Sequence, residues 1–252
     1  MSPISERFDG STFLVRHLNP GVVRNPDLIT QITSWLDEAE TARLARLINP
    51  EHRHAFLVSH GLTRRLLSKV LGCNPSDICF GVTGRQKPVL SHPFNAKAVH
   101  FNLAHTQGLT VLAIGPEPMG IDTEWLNRTT KAGLAKRYFT QAEQRDIDYQ
   151  PPELRQQRFL TYWTLKEAFL KAQAWGIADS LTGFEFELSP PGATLPERIR
   201  LRVRDARLTP TLPWRFHHWR IEPEHLISLA VSTQATTDPS IDICPWTDSD
   251  WI

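Results

Sequence analysis

The chain has 252 residues, 28 Lys and Arg against 27 Asp and Glu, a formal charge of +1, 40% hydrophobic and 22% charged residues. It is long and apolar enough to bury a core without disulfide or metal staples, too apolar for an acidic disordered chain, and too evenly charged for a nucleic-acid protein held by a large positive field. The segment before Leu18 carries Glu6, Arg7, Asp9 and Arg16 where a signal peptide needs an apolar stretch, no run approaches the roughly 20 apolar residues of a spanning helix, and Cys73, Cys79 and Cys244 form no C-x-x-C pair. A reduced, cytoplasmic protein is therefore expected.

Charge and lysine usage are uneven along the chain. From Ile221 onward there are six acids and no Lys or Arg, so the residues before it carry a surplus of seven positive charges, enough to meet phosphates or an acidic protein. Only seven of the 28 basic residues are lysines, and two of them, Lys166 and Lys171, lie five residues apart.

In chain order, Phe13 to Leu18 reads as a strand and Asp37 to Ile48 as a helix. Asn49-Pro50-Glu51 supplies an N-cap, a proline at the first helical position and an early acid, which predicts a helix from Pro50 to Leu71 stopped by Gly72. Asp77 to Phe80, Val99 to Ala104 and Leu109 to Ile114 read as strands. Gly115-Pro116-Glu117-Pro118 is the strongest punctuation, a hairpin loop or a lobe boundary. Beyond it Met119 to Trp125 reads as a strand, and Thr140-Gln141-Ala142-Glu143 has capping-box spacing. Pro151-Pro152 opens a helix over Glu153 to Trp175, closed by Gly176. Phe184 to Leu188, Ile199 to Val203, Trp214 to Ile221 and Leu226 to Ser232 are strand candidates. Residues 234–252 read as a loose acidic tail.

Dinucleotide-fold, P-loop, hydrolase-elbow and zincin motifs are all missing. Three segments carry the chemistry that remains. In the strand Met119 to Trp125, Asp122 and Glu124 project from one face, where they repel unless they meet solvent or share a hard cation; with phosphate nearby such a pair suits Mg²⁺. On the helix, Trp163, Glu167, Lys171 and Trp175 follow at i+4 steps and form one stripe flanked by Tyr162, Leu165, Phe169 and Ala172. A surface Glu-to-Lys pair worth about 0.2–0.5 kcal/mol explains that spacing but not the apolar flank. His105 ends a predicted strand, Phe101-Asn102-Leu103-Ala104-His105-Thr106, and a lone histidine is more often structural than catalytic.

Taken together these segments resemble the 4'-phosphopantetheinyl transferases of the larger, surfactin-synthetase-activating type. The resemblance runs from about Arg53 to Leu188 and rests on Gln86-Lys87-Pro88, the segment ending in His105-Thr106, Met119 to Glu124, Ala135 to Thr140 with Glu143, and Trp163-x-x-Lys166-Glu167-Ala168-x-x-x-Lys171. The Trp and Lys-Glu-Ala spelling matches one of the two subgroups of that type.

The resemblance implies an α+β fold of two similar α/β lobes related by pseudo-twofold symmetry, with coenzyme A between them: an N-terminal lobe over 1–117, a C-terminal lobe over 118–233 and the tail. It implies transfer of phosphopantetheine from coenzyme A to a serine of an acidic carrier protein, leaving adenosine 3',5'-bisphosphate, by a monomer. The family's Mg²⁺ ligands fall on Asp122, Glu124 and Glu167, with Asp122 also near coenzyme A. Its pyrophosphate-facing lysine falls on Lys171 and its phosphate-contacting histidine on His105. Lys87 and Arg53 match contacts to the nucleotide end, and Arg43 and Arg46 align loosely as further phosphate contacts. Glu167 is the expected base, directly or through water. Where many relatives have serine before the histidine this chain has Ala104, which removes a hydroxyl from the nucleotide end.

The rival readings are a coenzyme-A-binding protein without catalysis, which has no need of three converging acids, and an unrelated Mg²⁺-dependent phosphotransferase, against which the missing P-loop counts. Arg198, Arg200, Arg202 and Arg204 alternate with apolar residues; this reads first as a half-buried strand with a charged outer face and second as a carrier-docking surface.

Overall fold

A computed structural model describes residues 8, 10–83, 87–96, 98–130, 133–175, 181–189, 198–221, 224–234 and 237–251. The chain forms two compact units of mixed α and β structure. One takes the chain up to Ala104, Gly108 to Glu117 and everything from Pro239; the other takes His105 to Gln107 and Pro118 to Asp238.

The first unit contains β1 (Thr12–Leu18), α1 (Pro26–Trp35), α2 (Glu38–Arg46), α3 (Pro50–Leu71), β2 (Phe80–Val82), β3 (Pro88–Leu90), β4 (His100–Thr106) except its last two residues, and β5 (Leu109–Gly115). Asn49 accepts from the N–H groups of Glu51 and His52 to start α3, and Gly72, at φ +71°, ends it, as the caps predict. Helix α1 goes unpredicted, although Asn25-Pro26-Asp27 repeats the cap, proline and acid of Asn49-Pro50-Glu51. The strand expected over Asp77 to Phe80 is instead a 3-10 turn, Pro75–Asp77, followed by the β2–β3 hairpin. The Asp77 carboxylate accepts from the Asn74 N–H at 3.2 Å and draws the backbone into the turn.

The last residues correct the expectation of a loose tail. Strand β11 (Ser240–Pro245) runs parallel to β1 and completes a four-stranded sheet in the order β11-β1-β5-β4. The fully buried Arg16 guanidinium donates to Asp242 at both its carbonyl and its carboxylate, each at 2.7 Å. Trp246 and Trp251 pack edge to face inside a core that includes Leu14, Ile32, Val58, Leu62 and Leu112. Two buried indoles and a paired strand outweigh the polar composition of this segment.

The second unit contains β6 (Met119–Trp125), α4 (Leu134–Tyr138), α5 (Gln141–Tyr149), α6 (Pro152–Ala172), β7 (Phe184–Ser189), β8 (Arg198–Val203), β9 (Trp214–Ile221) and β10 (His225–Ser232). An antiparallel sheet runs β6-β10-β9, and β7 pairs with β8. The Thr140–Glu143 capping box forms as the spacing predicts. Helix α6 lies on the sheet, and Leu165, Phe169 and Leu160 share its core with Leu226, Ala230, Phe184 and Phe186. The helix stops at Ala172; Ala174 takes a left-handed φ of 54° and the Trp175 N–H returns to Leu170 O at 2.9 Å. Gly176, the expected stop, lies outside the described residues.

Candidate functional site

The site begins with Gly120. A Cβ there would stand 2.1 Å from the Ala168 carbonyl oxygen and 2.4 Å from the Ala172 nitrogen, so only glycine lets α6 lie this close to β6. Side chains two apart on a strand share a face. Gly120 therefore turns Asp122 and Glu124 toward α6, which presents Glu167 and Lys171 one turn apart.

Lys171 bridges the two elements. Its ammonium donates to Asp122 Oδ1 at 2.6 Å and to the Ile121 carbonyl at 3.2 Å. The Arg128 guanidinium forms an ion pair with Glu124 Oε1. Two carboxylate oxygens are left buried without a hydrogen-bond partner, Asp122 Oδ2 and Glu167 Oε1. Burial pushes the Glu167 carboxyl up to about 7, the charge of Asp122 pushes the same way, Lys171 opposes it, and Glu124 adds to the rise. Burial likewise raises Asp122 against the pull of Lys171, and raises Glu124 against that of Arg128. Burial raises all three acids, Asp122 adds its repulsion to the other two, and two of the three keep an orphaned oxygen; a hard divalent cation relieves both burdens. This donor set fits Mg²⁺. Among the described residues the three carboxylates do not converge as a formed ligand set, because Lys171 and Arg128 draw two of them aside.

Of the residues singled out from sequence, Asp122, Glu124, Glu167 and Lys171 come together. His105 belongs to the same unit, at the end of β4, with its side chain exposed. Arg53 and Lys87 belong to the other unit. Arg53 is exposed and donates to the Leu44 carbonyl at 3.2 Å, while the half-buried Lys87 has its ammonium pulled down to about 8 by burial. Gln86 lies outside the described residues.

The sequence flags Lys166 as a rare lysine, and the structure makes it a core residue. It is 0% exposed, pairs with Glu143 at 2.9 Å and donates to the carbonyls of Leu181 and Phe184 at 2.5 and 2.8 Å, which fills its three donors. Arg128 escaped sequence reasoning because its i,i+4 spacing from Glu124 makes neighbours only on a helix, and Glu124 reads as part of a strand. The arginine face of β8 is partly neutralised, Arg202 by Glu187 at 2.8 Å and, just past the strand's end, Arg204 by Glu185 at 2.9 Å; both acids are on β7. An open groove of about 780 Å³ along β8 and β9 and another of about 540 Å³ beside α5 are lined by none of Asp122, Glu124, Glu167 or Lys171.

Comparison with known proteins decides the family. The model of the 4'-phosphopantetheinyl transferase superfamily matches residues 118–232, and that of the 4'-phosphopantetheinyl transferase N-terminal domain matches 25–117. HetI, a 4'-phosphopantetheinyl transferase of Nostoc sp., is 37% identical over 164 residues, 64% of this chain and 69% of its own length. The chain belongs to the 4'-phosphopantetheinyl transferases.

This transferase is of the two-domain, Sfp-like kind. Sfp of Bacillus subtilis is 26% identical over 159 residues, 63% of this chain and 69% of its own. The mouse L-aminoadipate-semialdehyde dehydrogenase-phosphopantetheinyl transferase is 26% identical over 207 residues, 76% of this chain and 65% of its own. The transferase moves phosphopantetheine from coenzyme A to carrier proteins. Among the described residues no helix is long and apolar enough to cross a membrane.

Proposed function

We propose that this transferase is a Mg²⁺-dependent enzyme of the Trp and Lys-Glu-Ala subgroup, and that the cluster on β6 and α6 is its catalytic centre. The observation that carries this is the pair of buried, partnerless oxygens, Asp122 Oδ2 on the strand and Glu167 Oε1 on the helix, two elements that Lys171 joins through Asp122 Oδ1. Asp122, Glu124 and Glu167 would hold Mg²⁺, which when bound supplies charge to the diphosphate of coenzyme A and lowers its repulsion of an incoming oxygen.

The protein's own residues do the rest. Phosphoryl transfer asks chiefly for positioning and charge. Glu167 accepts the proton of the carrier serine, directly or through water, the serine oxygen bonds the phosphorus on the pantetheine side, and the bond to adenosine 3',5'-bisphosphate breaks. Lys171 supports the negative charge that collects on the leaving phosphate. His105, Arg53 and Lys87 bind coenzyme A through its phosphates and nucleotide end. The carrier is an acidic acyl or peptidyl carrier domain, met by a cationic surface, and the enzyme works as a cytoplasmic monomer; Cys73, Cys79 and Cys244, none of them in a disulfide, suit a reducing compartment.

Incubation with Mg²⁺, coenzyme A and an apo-carrier panel should add one phosphopantetheine mass to a carrier serine. Coenzyme A binding with no mass change on any carrier would favour the non-catalytic binding protein instead.

A further inference from the structure

The turn after β6 is fixed from two sides. The Arg128 N–H donates to Trp125 O at 3.2 Å, and the Gln156 amide of α6 donates to the carbonyls of Arg128 and Leu126 at 2.5 and 3.1 Å. Trp125 is held in turn by the Glu224 carboxylate at 2.7 Å from its indole nitrogen. The backbone of Arg128 is thus set before its side chain reaches Glu124, and both members of the pair are more than half withdrawn from solvent, at 34% and 11% exposure. The charge of Arg128 also acts on Asp122. Two cations, Arg128 and Lys171, therefore stand against three carboxylates, and each grips an acid that a divalent cation needs.

We propose that Arg128 is the resident counter-ion of this cluster: it holds Glu124 while no divalent cation is bound, competes with that cation for the carboxylate, and so sets how tightly the site takes it. This rests on the reading of Asp122, Glu124 and Glu167 as cation ligands. Cation uptake requires the Arg128–Glu124 pair to open, and the guanidinium, tied at its backbone by Gln156, swings free of the carboxylate without leaving the rim of the site. The closed pair also keeps an otherwise repulsive cluster folded between turnovers, because an ion pair that shields like charges removes their mutual cost.

The test is calorimetric titration of Mg²⁺, and separately Mn²⁺, into the full chain without coenzyme A. Arg128→Gln should bind each ion about two- to fivefold more tightly than wild type, the range that a partly exposed ion pair supports. Arg128→Lys keeps a competing charge and should stay near the wild type. Arg128→Met, which also lacks the charge, should reproduce the gain, so that failure of one variant to fold leaves the other to decide. Unchanged or weaker binding in both neutral variants, with Glu124→Gln binding less than wild type, would overturn the competition while leaving the ligands in place. Equal binding by wild type and Glu124→Gln would instead overturn the ligand assignment beneath it.

Discussion

Lys171 reaches off its own helix to Asp122, 2.6 Å away on β6, although Glu167 stands one turn earlier on α6. The spacing Glu167–Lys171 invites a surface pair along the helix, but the lysine instead joins strand to helix and leaves Glu167 Oε1 partnerless. Lys171→Ala should lower kcat by about 10²–10³, the range for losing one charge stabiliser, with a smaller change in KM for coenzyme A. Steady-state kinetics on an apo-carrier checks this. A rise in KM with kcat intact at saturation would assign Lys171 to binding alone.

Glu167 combines burial with two like-charged neighbours, so its ionised form is a local cost that function retains. Glu167→Gln should reduce turnover by more than about 10²-fold, the scale of a lost proton acceptor, while the cation-free protein gains about 2–4 °C in Tm. Thermal unfolding in chelator, beside the transfer assay, reads both. A variant as active as wild type would remove Glu167 from the centre, and one with lowered Tm would show that its charge is compensated.

Gly120→Ala tests the close approach of strand and helix with a substitution that adds no polar atom. The new Cβ meets Ala168 O and Ala172 N, backbone atoms that cannot rotate aside. Helix α6 must lift, at a cost of about 1–3 kcal/mol, and the lift separates Asp122 from Lys171. Denaturant unfolding should show the loss, and transfer activity should fall further than stability alone explains. Wild-type stability in this variant would mean that the helix has room to shift.

Much of this was legible wherever a short-range rule applies. The caps of α3, the Thr140–Glu143 box and the shared face of Asp122 and Glu124 depend on neighbours within one turn or one pleat, so the sequence carries them directly. The acidic cluster was legible as two half-sites, and the motif spelling joined them. What local pattern could not carry was long-range pairing. The parallel partnership of β11 with β1 joins Arg16 to Asp242 across nearly the whole chain, and composition alone made that segment look loose. The same limit hid the buried role of Lys166, whose partners Glu143, Leu181 and Phe184 lie on three other segments.

Lys166 and Glu143 are both 0% exposed at the side chain, and each is tied to further partners, Glu143 through the N–H groups of Thr140 and Phe186. Removing one member strands the other charge in the core. Lys166→Met and Glu143→Leu should each cost about 3–5 kcal/mol, and the double variant Lys166→Met/Glu143→Leu clearly less than their sum. Denaturant titration of the three variants gives the cycle. Additive losses would mean that the pair contributes no more than its two separate sets of hydrogen bonds.

Glu40 gives a test in pH. Burial pushes its carboxyl up, but hydrogen bonds and charge from His60 at 2.5 Å and Arg64 at 2.7 Å outweigh burial and hold it below the usual carboxylate range. A carboxyl depressed in the folded state contributes stability that is present above the unfolded value, about 4.3, and is lost as pH falls through the lower folded value. Wild-type Tm should therefore fall between about pH 5 and pH 3 more steeply than that of Glu40→Gln, which starts lower at neutral pH and lacks this titration. The two curves should converge in acid. If they run parallel from pH 7 to pH 3, the Glu40 cluster does not couple protons to folding, and the acid sensitivity must come from other carboxylates such as Asp37, which shares Arg64 at 2.9 Å.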